Sequence, residues 1–250
     1  MSLSLPKIIG HRGIKGLAPE NTVNSIIKAI DLKIKWIEID VKISKDKIPI
    51  LLHDDLLDRT TSGTGKPIDW LYKEILKLDA GNWFAKKYSG SHVPTLKEVL
   101  LLCSKKNIGV NIELKPNKGF EKENVESVVN LINNLNFNCP IYFSSFDIFS
   151  CIKIKKLLPN FHVGILIDKF DSITFLNKTI KECKKNNFFS CGISNVYITK
   201  KIIETLKKNQ IITNVYSAKN ININEANKLW SIGINSIFVD NIVGYEDQLI

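Results

Sequence analysis

The stretch LKEVLLLCSKKNIGVNIELKPNKGFEKENVESVVNLINNLNFNCPIYFS, residues 96–144, carries the pattern that decides the architecture. Residues 96–106 repeat apolar side chains at helical spacing, and residues 109–114 form a short apolar strand. Residues 121–135 return to the helical period and 141–144 to a strand. A strand, a long helix and a second strand make a unit in which both strands run parallel. Outward from this stretch the alternation continues. Upstream, residues 7–10 predict a strand and 21–32 a helix, with Val23, Ile26, Ile27 and Ile30 on one face and Asn21 or Thr22 as its cap. Residues 36–43 and 49–52 are again extended. Downstream, helices over 148–158, 172–185, 200–208 and 224–232 alternate with strands over 162–167, 188–193, 211–216 and 236–239.

One strand per repeat makes eight, each followed by a helical stretch. That number fits a closed (β/α)8 barrel of the TIM type better than an open sheet. The less regular run 53–94, with a turn at Gly63-Thr64-Gly65 and a helical patch over 69–77, reads as a small insertion after the second strand, built over the barrel top. No linker or low-complexity tract divides the chain, so residues 1–250 are expected to form one domain.

All but two of the 35 basic residues are lysine. The exceptions, Arg12 and Arg59, each sit beside a histidine: Gly10-His11-Arg12-Gly13, and His53-Asp54 followed by Asp58-Arg59. A guanidinium holds a carboxylate or phosphate in two-point contact, which an ammonium cannot. The net charge of +10 raises the question of nucleic acid. The lysines are scattered over polar helix faces and helix ends, however, and no nucleic-acid motif is present, so no nucleic-acid partner is expected. The charge suits encounter with small anions. No run approaches the ~18 apolar residues of a membrane span, and no stable membrane association is expected. Cys103, Cys139, Cys151, Cys183 and Cys191 are odd in number and form no Cys-x-x-Cys pair. They read as free thiols of a reducing compartment. With no secretory leader apparent, a cytoplasmic location is expected. No pattern sets an oligomeric state.

Barrel active sites lie at the C-terminal ends of the strands, where the polar residues here recur. Glu38 and Asp40 are two apart on one strand and share a face; Glu113 and Lys115 do so on the next main strand. Three carboxylates at one mouth repel each other, and a hard divalent cation such as Mg²⁺ or Ca²⁺ relieves that repulsion. Salt bridges to Lys115 and Arg12 are the plainer alternative. His11 and His53 suit acid–base work on a phosphodiester, one taking and one giving a proton. His92 and His162 lack such company and read as structural.

Gly10-His11-Arg12-Gly13, Pro19-Glu20-Asn21-Thr22, Glu38-Ile39-Asp40-Val41, His53-Asp54 and Asp58-Arg59-Thr60-Thr61-Ser62-Gly63-Thr64-Gly65 together resemble the glycerophosphodiester phosphodiesterases. So do Pro94-Thr95-Leu96, Glu113-Leu114-Lys115 and Ser145-Phe146-Asp147. The resemblance implies a (β/α)8 barrel that hydrolyses glycerophosphodiesters to sn-glycerol 3-phosphate and an alcohol, using one divalent cation, Mg²⁺ or Ca²⁺. By the same resemblance His11 and His53 are the acid–base pair. Glu38, Asp40 and Glu113 hold the metal, and Arg12 and Lys115 contact the phosphate. Phe146 and Tyr216 are assigned to the substrate pocket. The chain departs from the family at Tyr216-Ser217-Ala218-Lys219, where Trp-Thr-Val-Asn is usual, and at Val239-Asp240-Asn241, where Thr-Asp-x-Pro is common. Lys219 thus adds a charge near the end of the pocket that shapes head-group choice.

Two other functions fit less of the sequence. A lysophospholipase D or phosphoinositide phospholipase needs an apolar surface at the mouth, for which Trp70, Leu71, Tyr72, Trp83 and Phe84 are available. These side chains are expected instead to form the insertion's own small core. A non-catalytic, lysine-rich binding barrel would have no use for two histidines beside three carboxylates.

Overall fold

In the computed structural model, which describes residues 3–170 and 172–248, the chain runs in order through β1 (Ile8–Gly10), α1 (Val23–Asp31), β2 (Trp36–Ile43), β3 (Pro49–Leu51), α2 (Tyr72–Ile75) and α3 (Leu96–Lys106). It continues through β4 (Gly109–Leu114), α4 (Glu121–Asn134), β5 (Ile141–Ser145), α5 (Ile148–Leu157), β6 (His162–Ile167) and α6 (Ile173–Asn186). It ends with β7 (Ser190–Ser194), α7 (Lys200–Lys208), β8 (Ile212–Tyr216), α8 (Ile223–Ser231) and β9 (Ser236–Val239). All strands but β3 pair in parallel around a ring. β1 meets β9 on one side, Ile9 facing Phe238, and β2 on the other, Gly10 facing Ile37. The result is the closed eight-stranded TIM barrel expected from the repeat. β3 turns back antiparallel on the end of β2, with Ile50 opposite Lys42. The eighth barrel strand, β9, is followed among the described residues only by a single 3-10 turn at Glu246–Gln248, not by a full helix.

Alternation along β2 sorts its side chains to two sides. Ile37, Ile39 and Val41 face outward into the main core between barrel and helices. Trp36 faces inward with Ile9, Tyr142 and Phe238, and Leu3 and Leu5 pack against this cluster. Ser236 Oγ donates to the Pro6 carbonyl, which ties the N-terminal segment to the same end. Trp36 needs room: a Cβ at Gly109 would lie 2.2 Å from its indole, so glycine is required there. Inward positions near the strands' N-terminal ends are therefore filled by large rings. Those near the C-terminal ends carry Glu38, Asp40 and Glu113.

The helix termini follow local chemistry. Thr22, Thr95, Asp147, Ser172, Thr199 and Asn222 each accept a hydrogen bond from the backbone three residues on, as N-caps do. The first helix starts at Val23 rather than at residue 21, because Asn21 has φ 53° and cannot continue a right-handed helix. In the insertion, Trp70 and Tyr72 pack on the small cluster of Ile50, Ile75, Ala80 and Val93, as expected of its core. Leu71, Trp83 and Phe84 do not join it. Trp83 is 40% exposed, meets Phe84 edge-on at 5.7 Å, and lies 5.9 Å from the Arg59 guanidinium. Gly63-Thr64-Gly65 serves as a turn, its Gly65 carbonyl accepting from Leu57 N. Among the described residues no helix is long and apolar enough to cross a membrane.

Candidate active site

The loop after β1 is folded tightly onto β2. A Cβ at Gly10 would meet the Gly13 carbonyl at 2.1 Å, and Arg12 itself is left-handed at φ 52°. This turn lets Arg12 N donate to Glu38 Oε2 at 2.9 Å and Gly13 N to the Glu38 carbonyl at 3.0 Å. The Arg12 side chain reaches Glu20 Oε1 at 2.6 Å and places Nε 3.2 Å from Asp40 Oδ2. Asn21 grips Asp40 at two points, Nδ2 donating to Oδ2 at 2.8 Å and Oδ1 accepting from Asp40 N at 3.1 Å. Its left-handed backbone, which keeps the helix from starting before Val23, is what points it there.

Glu38, Asp40 and Glu113 are buried, and one ligand oxygen from each lies within 4.8 Å of the others. Lys115 Nζ sits 3.0 Å from Glu113 Oε1 and 3.5 Å from Asp40 Oδ1. The ion pairs weighed as the plainer alternative therefore exist, but they leave one oxygen of Glu38 unanswered. Its Oε1 is buried with no hydrogen-bond partner. Burial and the charges of Asp40 and Glu113 push the Glu38 carboxyl well above the usual range. Burial, with Asp40 adding to it, also raises Glu113, to about 7. Against its own burial, Lys115 and Arg12 hold Asp40 below the usual range. An all-oxygen donor set with an orphaned buried oxygen fits a hard divalent cation.

Both histidines carry an aspartate at the same ring nitrogen. His11 Nδ1 is 2.8 Å from Asp240 Oδ1, and His53 Nδ1 is 2.7 Å from Asp54 Oδ1. An ionised aspartate accepts only, so each Nδ1 is the donor and each Nε2 is left to face the cavity chemistry. Burial lowers His11 to about 4, with Arg12 and Lys15 adding to the shift and Asp240 opposing it. Burial also lowers His53. The Arg59 hydrogen bond holds Asp54 well below the usual carboxylate range.

His11, Arg12, Glu38, His53, Glu113, Lys115, Phe146 and Tyr216 all line one cavity of about 380 Å³ at the C-terminal mouth of the barrel. Asp40 lies beneath, fully inside the cluster. Phe146 and Tyr216 meet edge to face, centroids 5.6 Å apart, and the Tyr216 hydroxyl donates to the Ile167 carbonyl. Lys219 stays outside: it is exposed, and Ser217 and Ala218 form the wall there. A larger space, about 660 Å³, lies away from these groups between β3, α2, α3 and α4. It contains no histidine and none of the clustered carboxylates.

The second arginine does something other than face a phosphate. Arg59 Nη1 and Nη2 donate to the two oxygens of Glu20 at 2.8 and 2.7 Å, while Nε and Nη2 hold Asp54. Its two-point contacts are with protein carboxylates. Glu20 thereby joins Arg12 to Arg59, and the line runs on through Asp54 to His53. Spacing offers Asn21 only as a helix cap and gives Glu20, Asp54 and Asp240 no role of their own. Pro19-Glu20-Asn21-Thr22 and His53-Asp54 were signals in the chain. Asp240 stands where the family has the aspartate of Thr-Asp-x-Pro, but nothing local ties it to His11: it is 229 residues away and reaches the histidine only because β9 closes on β1.

Comparison with known proteins gives the family. The model of the Glycerophosphoryl diester phosphodiesterase family matches residues 11–243. A glycerophosphodiester phosphodiesterase of Caldanaerobacter subterraneus is 38% identical over 159 residues, which span 64% of this chain and 65% of that one. The Bacillus subtilis protein YhdW is 31% identical over 93% of each chain. A solved phosphodiesterase of Oleispira antarctica, in complex with the product sn-glycerol-3-phosphate, superposes with a TM-score of 0.89 at 31% identity, covering 98% of this chain and 97% of that one. With the barrel and its charged mouth, these matches show that the chain is an enzyme of the glycerophosphoryl diester phosphodiesterase family.

Proposed function

We propose that the protein hydrolyses glycerophosphodiesters to sn-glycerol 3-phosphate and an alcohol, with metal-dependent, two-histidine chemistry in a single cytoplasmic domain. The observation that carries this is the pair of histidine–aspartate couples on the same cavity as the buried carboxylate cluster. Glu38, Asp40 and Glu113 would hold one cation, Mg²⁺ or Ca²⁺, which when bound supplies positive charge against the phosphate's non-bridging oxygens.

The chain's own groups do the rest. Arg12 keeps Nη2 without a hydrogen bond among the described residues, and Lys115 Nζ lines the cavity. Both are positioned to hold the phosphate as charge builds on it. One imidazole takes the proton of the attacking oxygen at Nε2 as the new O–P bond forms. The other, which enters the step protonated at both ring nitrogens, gives its Nε2 proton to the alcohol oxygen as the old P–O bond breaks. Asp240 and Asp54 keep each ring in the tautomer this requires and stabilise it when it carries the extra proton. Phe146 and Tyr216 wall the substrate. The five free thiols, all buried, support the cytoplasmic placement. Neither nucleic acid nor a membrane surface is part of this reading.

The test is release of glycerol 3-phosphate from glycerophosphoethanolamine and glycerophosphocholine with Mg²⁺, with Ca²⁺ and with EDTA. Metal-dependent release that EDTA abolishes is expected. No release from folded protein with either metal would overturn the proposal.

A further inference from the structure

A second space adjoins the catalytic cavity. It is an open groove of about 540 Å³ that shares His53, Lys115 and Phe146 with the cavity and extends to Lys42, Asp55 and Asp147. A phosphodiester has two arms. The glycerol arm is common to every substrate of the proposed reaction, and the alcohol arm varies. The less open cavity suits the constant arm, and the more open groove beside His53 suits the variable one.

The groove's charges are mostly spent. Lys42 Nζ is 2.9 Å from Asp55 Oδ1. Lys115 is taken by Asp40 and Glu113, and Asp54 by Arg59 and His53. Asp147 is the exception. It has no ion-pair partner among the described residues. Its Oδ2 accepts from Ser150 N at 2.8 Å and Ser150 Oγ at 2.6 Å, which locks the side chain. Its other oxygen has no hydrogen bond among them. The residue is half-buried next to Phe146, whose ring already has a cation, Lys115 Nζ, 5.6 Å from its centroid. A fixed, unpaired carboxylate beside an aromatic ring is the chemistry that recognises an ammonium.

We propose that this groove is the alcohol subsite and that it takes a positively charged amino-alcohol head group, held by Asp147 beside Phe146; the inference rests on the phosphodiesterase reading above. It predicts that glycerophosphoethanolamine and glycerophosphocholine are hydrolysed with higher kcat/KM than glycerophosphoglycerol, whose head group is neutral. Asp147→Asn keeps a good helix cap and removes the charge. The ratio of kcat/KM for the ethanolamine over the glycerol substrate should fall about fivefold in that variant, the scale of one partly exposed ion pair. In the unaltered protein the same ratio should shrink as salt is raised, a measurement that needs no variant. A ratio at or below one in the unaltered protein, or one that Asp147→Asn leaves unchanged, overturns the subsite while turnover itself leaves the phosphodiesterase reading standing. Failure on all three diesters with either metal removes both.

Discussion

The two sides of the barrel mouth are built from different materials. On one side β1, β2 and β4 end in His11, Arg12, Glu38, Asp40, Glu113 and Lys115, nearly every one ion-paired or hydrogen-bonded to another. On the other side the wall comes from Leu166, Ser194, Tyr216, Ser217 and Ala218, with no formal charge. Chemistry is concentrated where charges hold one another in place, and shape is supplied where they are absent. A change on the charged side should therefore propagate, and a change on the neutral side should stay local.

The largest effects are expected from the histidines. His11→Ala or His53→Ala should lower kcat by about 10²-fold or more. Near-normal turnover in either variant would remove the acid–base assignment and with it the contrast between the two sides.

Metal removal reads the charged side directly. Without a cation Glu113 is raised from 4.5 to about 7 by burial, with Asp40 adding to it. A carboxyl with a raised folded-state pKa contributes most stability below its unfolded value and loses that contribution as pH rises through the folded one. Ionised, the cluster then repels itself, and a cation competes with no proton. The gain in Tm on adding Mg²⁺ or Ca²⁺ should accordingly grow between about pH 5 and about pH 8. A gain that is flat across that range would show that the three carboxylates are not the ligands.

A smaller effect is expected one step back from the cavity. Asn21→Ala removes both contacts that orient Asp40 and should weaken metal affinity by about tenfold, as loss of such supporting bonds does. Arg59→Gln should act through His53, lowering kcat by about tenfold and displacing the pH profile, with Arg59→Lys recovering little because one ammonium cannot serve both Glu20 and Asp54. An unshifted profile in Arg59→Gln would reduce the arginine to a surface strut.

The neutral side should respond least. Tyr216→Phe loses one hydrogen bond to the Ile167 carbonyl, worth about 1 kcal/mol of stability, while keeping the ring against Phe146. A loss of activity comparable to that at Asn21 would mean that the hydroxyl touches substrate.

The barrel and the residues nominated around its mouth were legible because their signals are local. Glu38 and Asp40 show their shared face in a five-residue window, and Gly10-His11-Arg12-Gly13 follows its strand directly. What could not be read depends on closure or on backbone conformation. Asp240 becomes His11's partner only when the last strand meets the first. Asn21 looks like the start of a helix in a periodicity plot, and only its left-handed φ turns it toward Asp40. Arg59 was visible as unusual, but its partners, 5 and 39 residues away, set it to bracing protein rather than phosphate. Trp83 and Phe84 carried the same hydrophobic signal as Trp70 and Tyr72, and nothing in composition separates a ring stacked under an arginine from one in a core.

The rings of Ile9's neighbours at the barrel floor, Trp36, Tyr142 and Phe238, with Leu3 and Leu5 packed against them, make the candidate cavity a flask with a closed floor. Whatever lodges deepest has the longest way out. In the proposed arrangement, with the glycerol arm in the cavity and the alcohol in the adjoining groove, glycerol 3-phosphate is expected to be the second product out. Steady-state inhibition should then be ordered: glycerol 3-phosphate competes with the diester for the empty flask, while added alcohol, which re-enters only a flask still holding the phosphate ester, inhibits noncompetitively.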